Sequence, residues 1–271
     1  MTQDELDQLI RLVDAYTARY VAIQAEAERQ AVAEFAGVSF YDVAAVAAAA
    51  AGAAEVSGYA TNAVAGLAGQ FYLMALDLMG GEPPRLDLAA VDIGPVRGAD
   101  VDLTSVYERT AKRYRVDIAN GLDATAAEAD AERLLQQTID ADLMLAQRAA
   151  MAEMLAATAT ITKYRRVVRP ELSQTGVCGL CLAAADQVYT KKDLLPLHHR
   201  CKCIVLPIVE ADARVPEYVN EITLSELYTA ADSTSGRELK KIRYRIEDHG
   251  ELGPVLVQQG HRFTGPNDLA A

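Results

Sequence analysis

Helical periodicity dominates the chain, and its clearest instance is residues 125–158, which read TAAEADAERLLQQTIDADLMLAQRAAMAEMLAAT. Thr125 and Glu128 have the spacing of a capping box, which predicts the first turn of a helix. Apolar side chains then recur at intervals of three and four residues, so one side of the helix is apolar. These are Ala131, Leu134, Leu135, Ile139, Leu143, Leu145, Met151, Met154 and Leu155. The segment predicts one long amphipathic helix that ends near Thr158.

Two kinds of side chain on this helix invite a functional interpretation. Met144, Met151 and Met154 are flexible apolar side chains, and we expect them to fill gaps in a core rather than to line a binding groove. Asp140 and Asp142 form a close acidic pair. A solvated acidic face is the commoner origin of such a pair, so we expect both carboxylates at the surface and not in a catalytic dyad.

The N-terminal residues predict two more long helices. Thr2 and Glu5 form a capping box that starts a helix running to Gly37, a residue type that often ends helices. Ser39 and Asp42 are expected to cap a second helix.

That second helix runs through an alanine-rich tract from Val43 to about Met79. Each glycine in a helix costs about 1 kcal/mol relative to alanine. Gly52, Gly58, Gly66 and Gly69 therefore predict close backbone contacts or a break, which we place near Ser57-Gly58. Residues 85–103 predict an irregular connector, and a further helix is expected from Thr104 to Asn120-Gly121.

Charge divides the chain into two parts. The 271 residues include 38 acidic and 26 basic side chains, which gives a net charge of −12. Residues 1–160 carry a net charge of −13 and residues 161–271 carry +1. With 51% hydrophobic residues the chain has enough apolar surface for a core, so we expect it to fold and not to be disordered throughout.

The same composition bears on localisation and partners. We expect neither a signal peptide nor a membrane span, since no long, strongly apolar run is evident. Net acidity opposes general affinity for nucleic acid, because every phosphate contact needs a cation.

All four cysteines lie in a short stretch of the second part. Cys178 and Cys181 form a CxxC pair, and after sixteen intervening residues the sequence continues His198-His199-Arg200-Cys201-Lys202-Cys203. A CxxC turn directs two sulfurs toward one point, and a second pair of ligands from the later segment would complete a tetrahedral zinc site. Spacing alone leaves open whether Cys201 or Cys203, and whether His198 or His199, binds the metal.

Zinc bound by four protein side chains has no open position for a substrate, so the predicted Zn²⁺ is structural. Two disulfides, or thiols with a packing or redox role, are the alternatives; a reducing compartment disfavours the disulfides. The alternating residues 163–170 and the β-branched residues 204–209 predict strands beside the cysteines.

The predicted fold is therefore mainly α with a small β-rich, zinc-stapled module (α+β), and with long antiparallel helices in the N-terminal half. We divide the chain into an acidic helical domain at 1–160, a Cys/His zinc-type β module at 161–210, and a basic helix and loop extension at 211–271.

The cysteine segment resembles the C-terminal signature of the Mu F-like phage minor head proteins. The resemblance lies in CxxC, Pro196-x-His198, x-x-Cys201-Lys202-Cys203 and Pro207. The family pattern commonly has proline at the position of His199 and arginine at that of Lys202. The specific match covers about residues 164–209.

The resemblance implies a protein of head morphogenesis, made in the host cytoplasm and placed in the virion head at the capsid interior or portal vertex. It also implies contact with the portal protein and with the major capsid or scaffold protein, and a role in packaging or ejecting DNA. Self-association through the long helices is a further possibility that the sequence leaves open.

A basic run follows in the C-terminal part. Its cations alternate with apolar residues, so it is either a contact for DNA or a partner, or a solvated face with its apolar residues inward. The cations are Arg237, Lys240, Lys241, Arg243 and Arg245.

Two enzymatic functions are the alternatives to a structural role. A head maturation protease needs a nucleophile bonded to a base, and neither Ser173, Ser225 nor Ser235 stands in a recognisable motif with His249. A His-metal nuclease is suggested by His198-His199 beside CxxC, but no further metal-binding acid follows. We therefore expect no catalytic residues.

Overall fold

The computed structural model describes residues 2–84, 93–168, 176–185, 187–190, 203–209, 224–248 and 254–260. Most of these residues are helical, and the strands among them form two small antiparallel sheets. The prediction of a mainly α chain with a little β structure is confirmed.

Helix α1 spans Gln3–Glu34 and begins at the predicted capping box. The Thr2 backbone amide donates to Glu5 Oε2 at 2.6 Å, and the Glu5 amide donates to Thr2 Oγ1 at 3.3 Å. Two orphan amides are thereby satisfied reciprocally. Gly37 follows the helix with a φ of +73°, a conformation that ends helices and favours glycine.

Helix α2 spans Val43–Leu78 without interruption, so the predicted break near Ser57-Gly58 is wrong. Burial explains its continuity: Ala53, Ala60 and Val64 are fully or almost fully buried on the helix. Packing of this face outweighs the intrinsic cost of the glycines, because tertiary contacts supply most helix stability in proteins. Asp42 caps the helix, accepting from the amides of residues 44 and 45 at 3.0 Å each.

Three helices follow the connector. Helix α3 spans Leu103–Tyr107, α4 spans Arg109–Ala119 and α5 spans Ala124–Ala157. The single helix predicted from Thr104 is therefore two helices, the first of which is capped by Asp102. The long helix predicted at 125–158 is confirmed.

The cap of α5 differs from the prediction. Asp123 Oδ1 accepts from the Ala126 amide at 3.0 Å, so this aspartate, and not Thr125, satisfies the first turn. Asp123 lies immediately before α5, at the N-cap position from which a side-chain oxygen reaches the orphan amides of the first turn.

Close packing divides the chain into two units. The helical unit comprises residues 14–71 and 85–154, and the mixed unit comprises residues 1–13, 72–84 and 155–271. The division predicted at residues 160 and 210 stays a prediction. The core of the helical unit is built from α1, α2, α3 and α5, with Tyr20, Phe35, Val64, Tyr107, Leu135, Ile139 and Leu143 among its buried residues.

The acidic pair on α5 is buried, contrary to prediction. Asp140 is 6% exposed and Asp142 is 0% exposed. Asp142 accepts hydrogen bonds from Ser57 Oγ at 2.9 Å and from Tyr107 Oη at 2.5 Å, and it forms an ion pair with Arg97. A buried carboxylate needs such partners, since it has lost its water. These partners give Asp142 a structural role. Met144, Met151 and Met154 are buried, as predicted.

The first sheet contains the strand predicted at 163–170. Strand β1 spans Lys163–Val167 and lies between β3, Val188–Thr190, and β4, Ile204–Ile208. Both pairings are antiparallel, with β1 as the central strand.

The second sheet joins distant parts of the sequence. Strand β2 is Val177–Cys178 and leads into helix α6, Gly179–Ala185. It pairs with β5, Arg243–Asp248, which also pairs with β6, Pro254–Gln258. Helices α7, Leu224–Ala231, and α8, Gly236–Leu239, precede β5.

Helix α2 is long and apolar enough to cross a membrane by length and composition alone, with a mean hydropathy of 1.3 over its most apolar 18 residues. Core helices pass the same test, and this helix buries Ala50, Ala53, Val64 and Ala68. The expected lack of a membrane span stays a prediction.

Candidate metal centre

The CxxC pair lies where β2 becomes α6. Cys178 ends the strand, Cys181 lies on the first turn of the helix, and their side chains are 1% and 2% exposed. Their Sγ atoms are 3.5 Å apart. Two sulfurs at Zn–S distances of about 2.3 Å in a tetrahedral site are separated by about 3.8 Å. The pair therefore fits two positions of a zinc site with little movement.

The turn is seated tightly on the C-terminal segment. The Gly179 amide donates to the Ile242 carbonyl at 3.2 Å. A Cβ added at Gly179 would lie 2.7 Å from Ile242 Cδ1 and 3.1 Å from the Leu239 carbonyl oxygen. Gly176 has a φ of +68°, and an added Cβ there would collide with the backbone of Tyr244. Both glycines are required because another backbone passes directly against the turn.

Cys203 lies immediately before β4 and is 1% exposed. The guanidinium Nη1 of Arg166 donates to Cys203 Sγ at 3.4 Å. The register explains this contact. Arg166 pairs with Val205 across the two strands, and alternate residues 203 and 205 project to the same side of an extended chain. Cys203 is therefore held beside an arginine.

Arg166 also lies against two aromatic rings. Its Cζ is 5.2 Å from the ring centroid of Tyr189 and 5.9 Å from that of Tyr164. The rings stack with centroids 5.3 Å apart because Tyr164 and Tyr189 are direct partners in the β1–β3 register. Burial raises the pKa of Tyr189, and the positive charge of Arg166 opposes that shift. The two rings thus stabilise the buried guanidinium of Arg166 through cation–π contacts.

These two cysteine environments account for three of the predicted metal ligands. The described parts of the chain contain no group of three or more His, Cys, Asp or Glu side chains arranged to hold a metal. Cys178 and Cys181 are brought together, and Cys203 contacts Arg166. The remaining candidates, His198, His199 and Cys201, lie outside the described residues.

The predicted basic run is divided between α8 and β5. Glu238 lies 3.3 Å from Arg237 and 2.6 Å from Lys241, so each of these two cations has a carboxylate partner. Leu239 and Tyr244 are buried between the cations, as expected for a solvated face with apolar residues inward. Contact with DNA or a partner stays a prediction for Arg237, Lys240, Lys241, Arg243 and Arg245.

Ser225 and Ser235, two of the three candidate serine nucleophiles, lie among the described residues. Ser235 caps α8, its Oγ accepting from the Arg237 amide at 3.3 Å. Ser225 is exposed on α7, and its carbonyl accepts from Thr229 Oγ1 at 2.8 Å. Ser173 and His249 lie outside the described residues.

Arg166 and its aromatic neighbours were not predicted as part of the site. The contact between Arg166 and Tyr164 could have been predicted from the sequence, because these residues are two apart and share a face of strand β1. The contact with Cys203 was not visible, because it depends on the register between β1 and β4.

No family model, curated protein or solved structure gives a significant match to this chain. The likeness to Mu F-like minor head proteins therefore rests on the cysteine and histidine motif alone.

Proposed function

We propose that this chain is a phage minor head protein that acts in head morphogenesis near the portal, without catalysis, and that a structural Zn²⁺ holds its C-terminal part together. The observation that carries the proposal is the buried pair of Cys178 and Cys181, with Sγ atoms 3.5 Å apart, in a chain that continues with the His198–Cys203 motif.

The donor chemistry supports zinc in particular. Thiolates and imidazoles are the ligands that zinc prefers, and a site with four of them is structural. Cys178 and Cys181 would supply two ligands, and His198 with Cys201 or Cys203 would supply the others. The metal would add a cross-link between residues far apart in sequence, which stabilises a small module whose own core is limited.

The helices support a role in assembly. Long helices with a strongly acidic surface provide contact area for other proteins, and the family resemblance assigns those contacts to the portal and to the major capsid or scaffold protein. On this proposal the protein is made in the host cytoplasm and ends in the virion head.

Metal analysis tests the zinc part. The full chain, purified under reducing conditions, is expected to carry one zinc per molecule by elemental analysis. Cys178→Ser and Cys181→Ser should each lose the metal, whereas Ser225→Ala, a control in the same unit, should keep it. Co²⁺ exchange reports sulfur ligation independently, because Cys→Ser at a ligand changes the thiolate-to-cobalt absorption. A full chain without stoichiometric zinc overturns this part of the proposal.

Particle composition tests the biological part. Peptide mass spectrometry of purified immature heads and mature particles should detect the chain at low copy number in at least one of them. Its absence from both would contradict a role in the head, whatever the metal content of the isolated protein.

A further inference from the structure

A basic and aromatic surface stands out on the otherwise acidic helical unit. Helix α4 reads RTAKRYRVDIA and holds four of the eleven cations found in residues 1–160. Arg113 is neutralised by Asp117 at 2.7 Å and by Asp130 at 3.1 Å. The other three, Arg109, Lys112 and Arg115, have no carboxylate within ion-pair distance among the described residues.

These three cations follow one another at intervals of three residues. Side chains three apart on a helix are neighbours, with Cβ atoms about 5–6 Å apart. Arg109 and Lys112 are exposed, and Arg115 is half-buried. Long basic side chains at this spacing can contact successive phosphates of one strand.

Arg115 is already held in place. Its Nη1 donates to the Phe40 carbonyl at 2.6 Å, in the turn between α1 and α2. The ring of Tyr114 packs on that of Phe40 with centroids 4.7 Å apart. Fixing a cation before binding lowers the entropy cost of the contact.

An exposed aromatic ring adjoins the cations. Tyr41 is 60% exposed, and its ring meets that of Tyr114 edge-on with centroids 6.2 Å apart. The neighbouring acid, Asp42, is engaged by the amides at the start of α2, so its charge is partly satisfied. The surface therefore combines unpaired cations with an accessible ring.

From this arrangement we propose that Arg109, Lys112, Arg115 and Tyr41 form a binding surface for single-stranded nucleic acid, here named the α4 surface. Cations track the phosphates, and the tyrosine offers a face on which an unpaired base stacks, which is the usual chemistry of single-strand binding. An acidic protein segment would use the cations but would not need the ring.

The net charge of the unit limits the affinity but does not forbid it. Charges farther away than about 8 Å are largely screened at physiological ionic strength. Glu108 and Asp42, the acids next to Arg109 and Tyr41 in sequence, keep the local excess of positive charge small, so binding should be weak and strongly dependent on salt. The inference rests on α4 and the turn before α2, not on the zinc site or the role in the head.

Fluorescence anisotropy with a labelled oligothymidylate of about 20 nucleotides tests the α4 surface in the full chain. Arg109→Ala with Lys112→Ala should weaken binding at low salt and make the slope of log K against log salt shallower by about 1.4, since each lost phosphate contact removes about 0.7. Tyr41→Ser should weaken binding roughly tenfold with little change in slope, because stacking is not ionic.

Two control pairs remove the same charge elsewhere. Arg11→Ala with Lys163→Ala removes two exposed cations of the mixed unit, and Lys240→Ala with Lys241→Ala tests the C-terminal basic run. Both pairs should leave the salt slope unchanged. Circular dichroism of each variant excludes loss of fold as the cause of a change.

The inference is overturned if the chain does not bind the oligonucleotide at low salt, or if only the variant with Lys240→Ala and Lys241→Ala loses binding. It is also overturned if poly-L-glutamate of matched charge competes as well as unlabelled oligonucleotide and Tyr41→Ser has no effect. The last result would identify an anion site for acidic protein. None of these results bears on zinc content or on the presence of the chain in heads, so the two proposals fail separately.

Discussion

Two glycines in this chain show why residue type alone does not reveal a constraint. Gly179 follows Cys178 and has Ile242 and the Leu239 carbonyl directly against it. Gly66 lies on α2 with no atom within 4 Å of an added Cβ. The sequence places Gly179 in the CxxC turn and Gly66 in a predicted helix, but neither pattern states how close another part of the chain lies.

Substituting the two glycines by alanine should therefore shift stability in opposite directions. Gly179→Ala should lower the free energy of unfolding by about 1–3 kcal/mol, the usual cost of overpacking. Gly66→Ala should raise it by about 0.5–1 kcal/mol, because alanine is the better helix former. Urea titration followed by circular dichroism measures both, and equal effects of the two changes would contradict the tight seat of the CxxC turn.

Asp142 was predicted to lie at the surface, but it is buried. Its position among other acids indicated a solvated face, yet it accepts from Ser57 and Tyr107 and pairs with Arg97. These partners are 85, 35 and 45 residues away in sequence. No local pattern carries such distant information.

The presence of each long helix was predicted more reliably than the residues that begin and cap it. The apolar periodicity of α1, α2 and α5 extends over many turns, so it identifies each helix even where single residues are unfavourable. The caps depend on one hydrogen bond each, and several polar residues compete for it. Thr125 and Asp123 were such competitors at the start of α5, and the aspartate makes the bond.

Removing each competitor in turn tests this assignment. Asp123→Ala should destabilise the helical unit by about 1 kcal/mol, the typical cost of losing an N-cap. Thr125→Ala should change the free energy of unfolding by less than about 0.5 kcal/mol, as for most exposed positions. Thermal unfolding of the two variants against the parent chain decides between the two caps; a larger loss in Thr125→Ala would favour the capping box.

The prediction of a break in α2 was wrong because it used only local information. Glycine propensity is a local quantity of about 1 kcal/mol per residue, whereas the buried face of a helix of 36 residues gains far more from packing. Strand β1 was identified from its alternating, β-prone residues, but the burial of the cation Arg166 on it was not predicted.

Four buried tyrosines have raised pKa values, and each makes the stability of the folded chain depend on pH in the same direction. Burial raises the pKa of Tyr72 to about 12 despite its hydrogen bond to Thr158, and it raises the pKa values of Tyr16, Tyr20 and Tyr107 further. In the unfolded chain a tyrosine titrates near pH 10. Above that pH the unfolded state loses protons that the folded state keeps.

The whole protein should therefore lose stability in alkali. The tyrosine contribution is fully present below about pH 10 and falls as the pH rises toward 12, by up to about 1.4 kcal/mol per pH unit for each buried tyrosine. Urea titrations between pH 9 and 11.5 measure the slope. Tyr72→Phe should make it shallower, and Tyr59→Phe, at a side chain that is 71% exposed, should not. An unchanged slope in Tyr72→Phe would contradict this account.

Periodicity and composition determined that the chain is mainly helical, that its net negative charge lies in the first 160 residues, and that its four cysteines lie in one short stretch. These properties follow from residues that are close in sequence, where spacing fixes geometry. The packing of Gly179 on Leu239 and Ile242, the contact of Arg166 with Cys203, and the burial of Asp142 came from the folded chain. Each depends on a partner tens of residues away, and the chain has to fold before the two can meet.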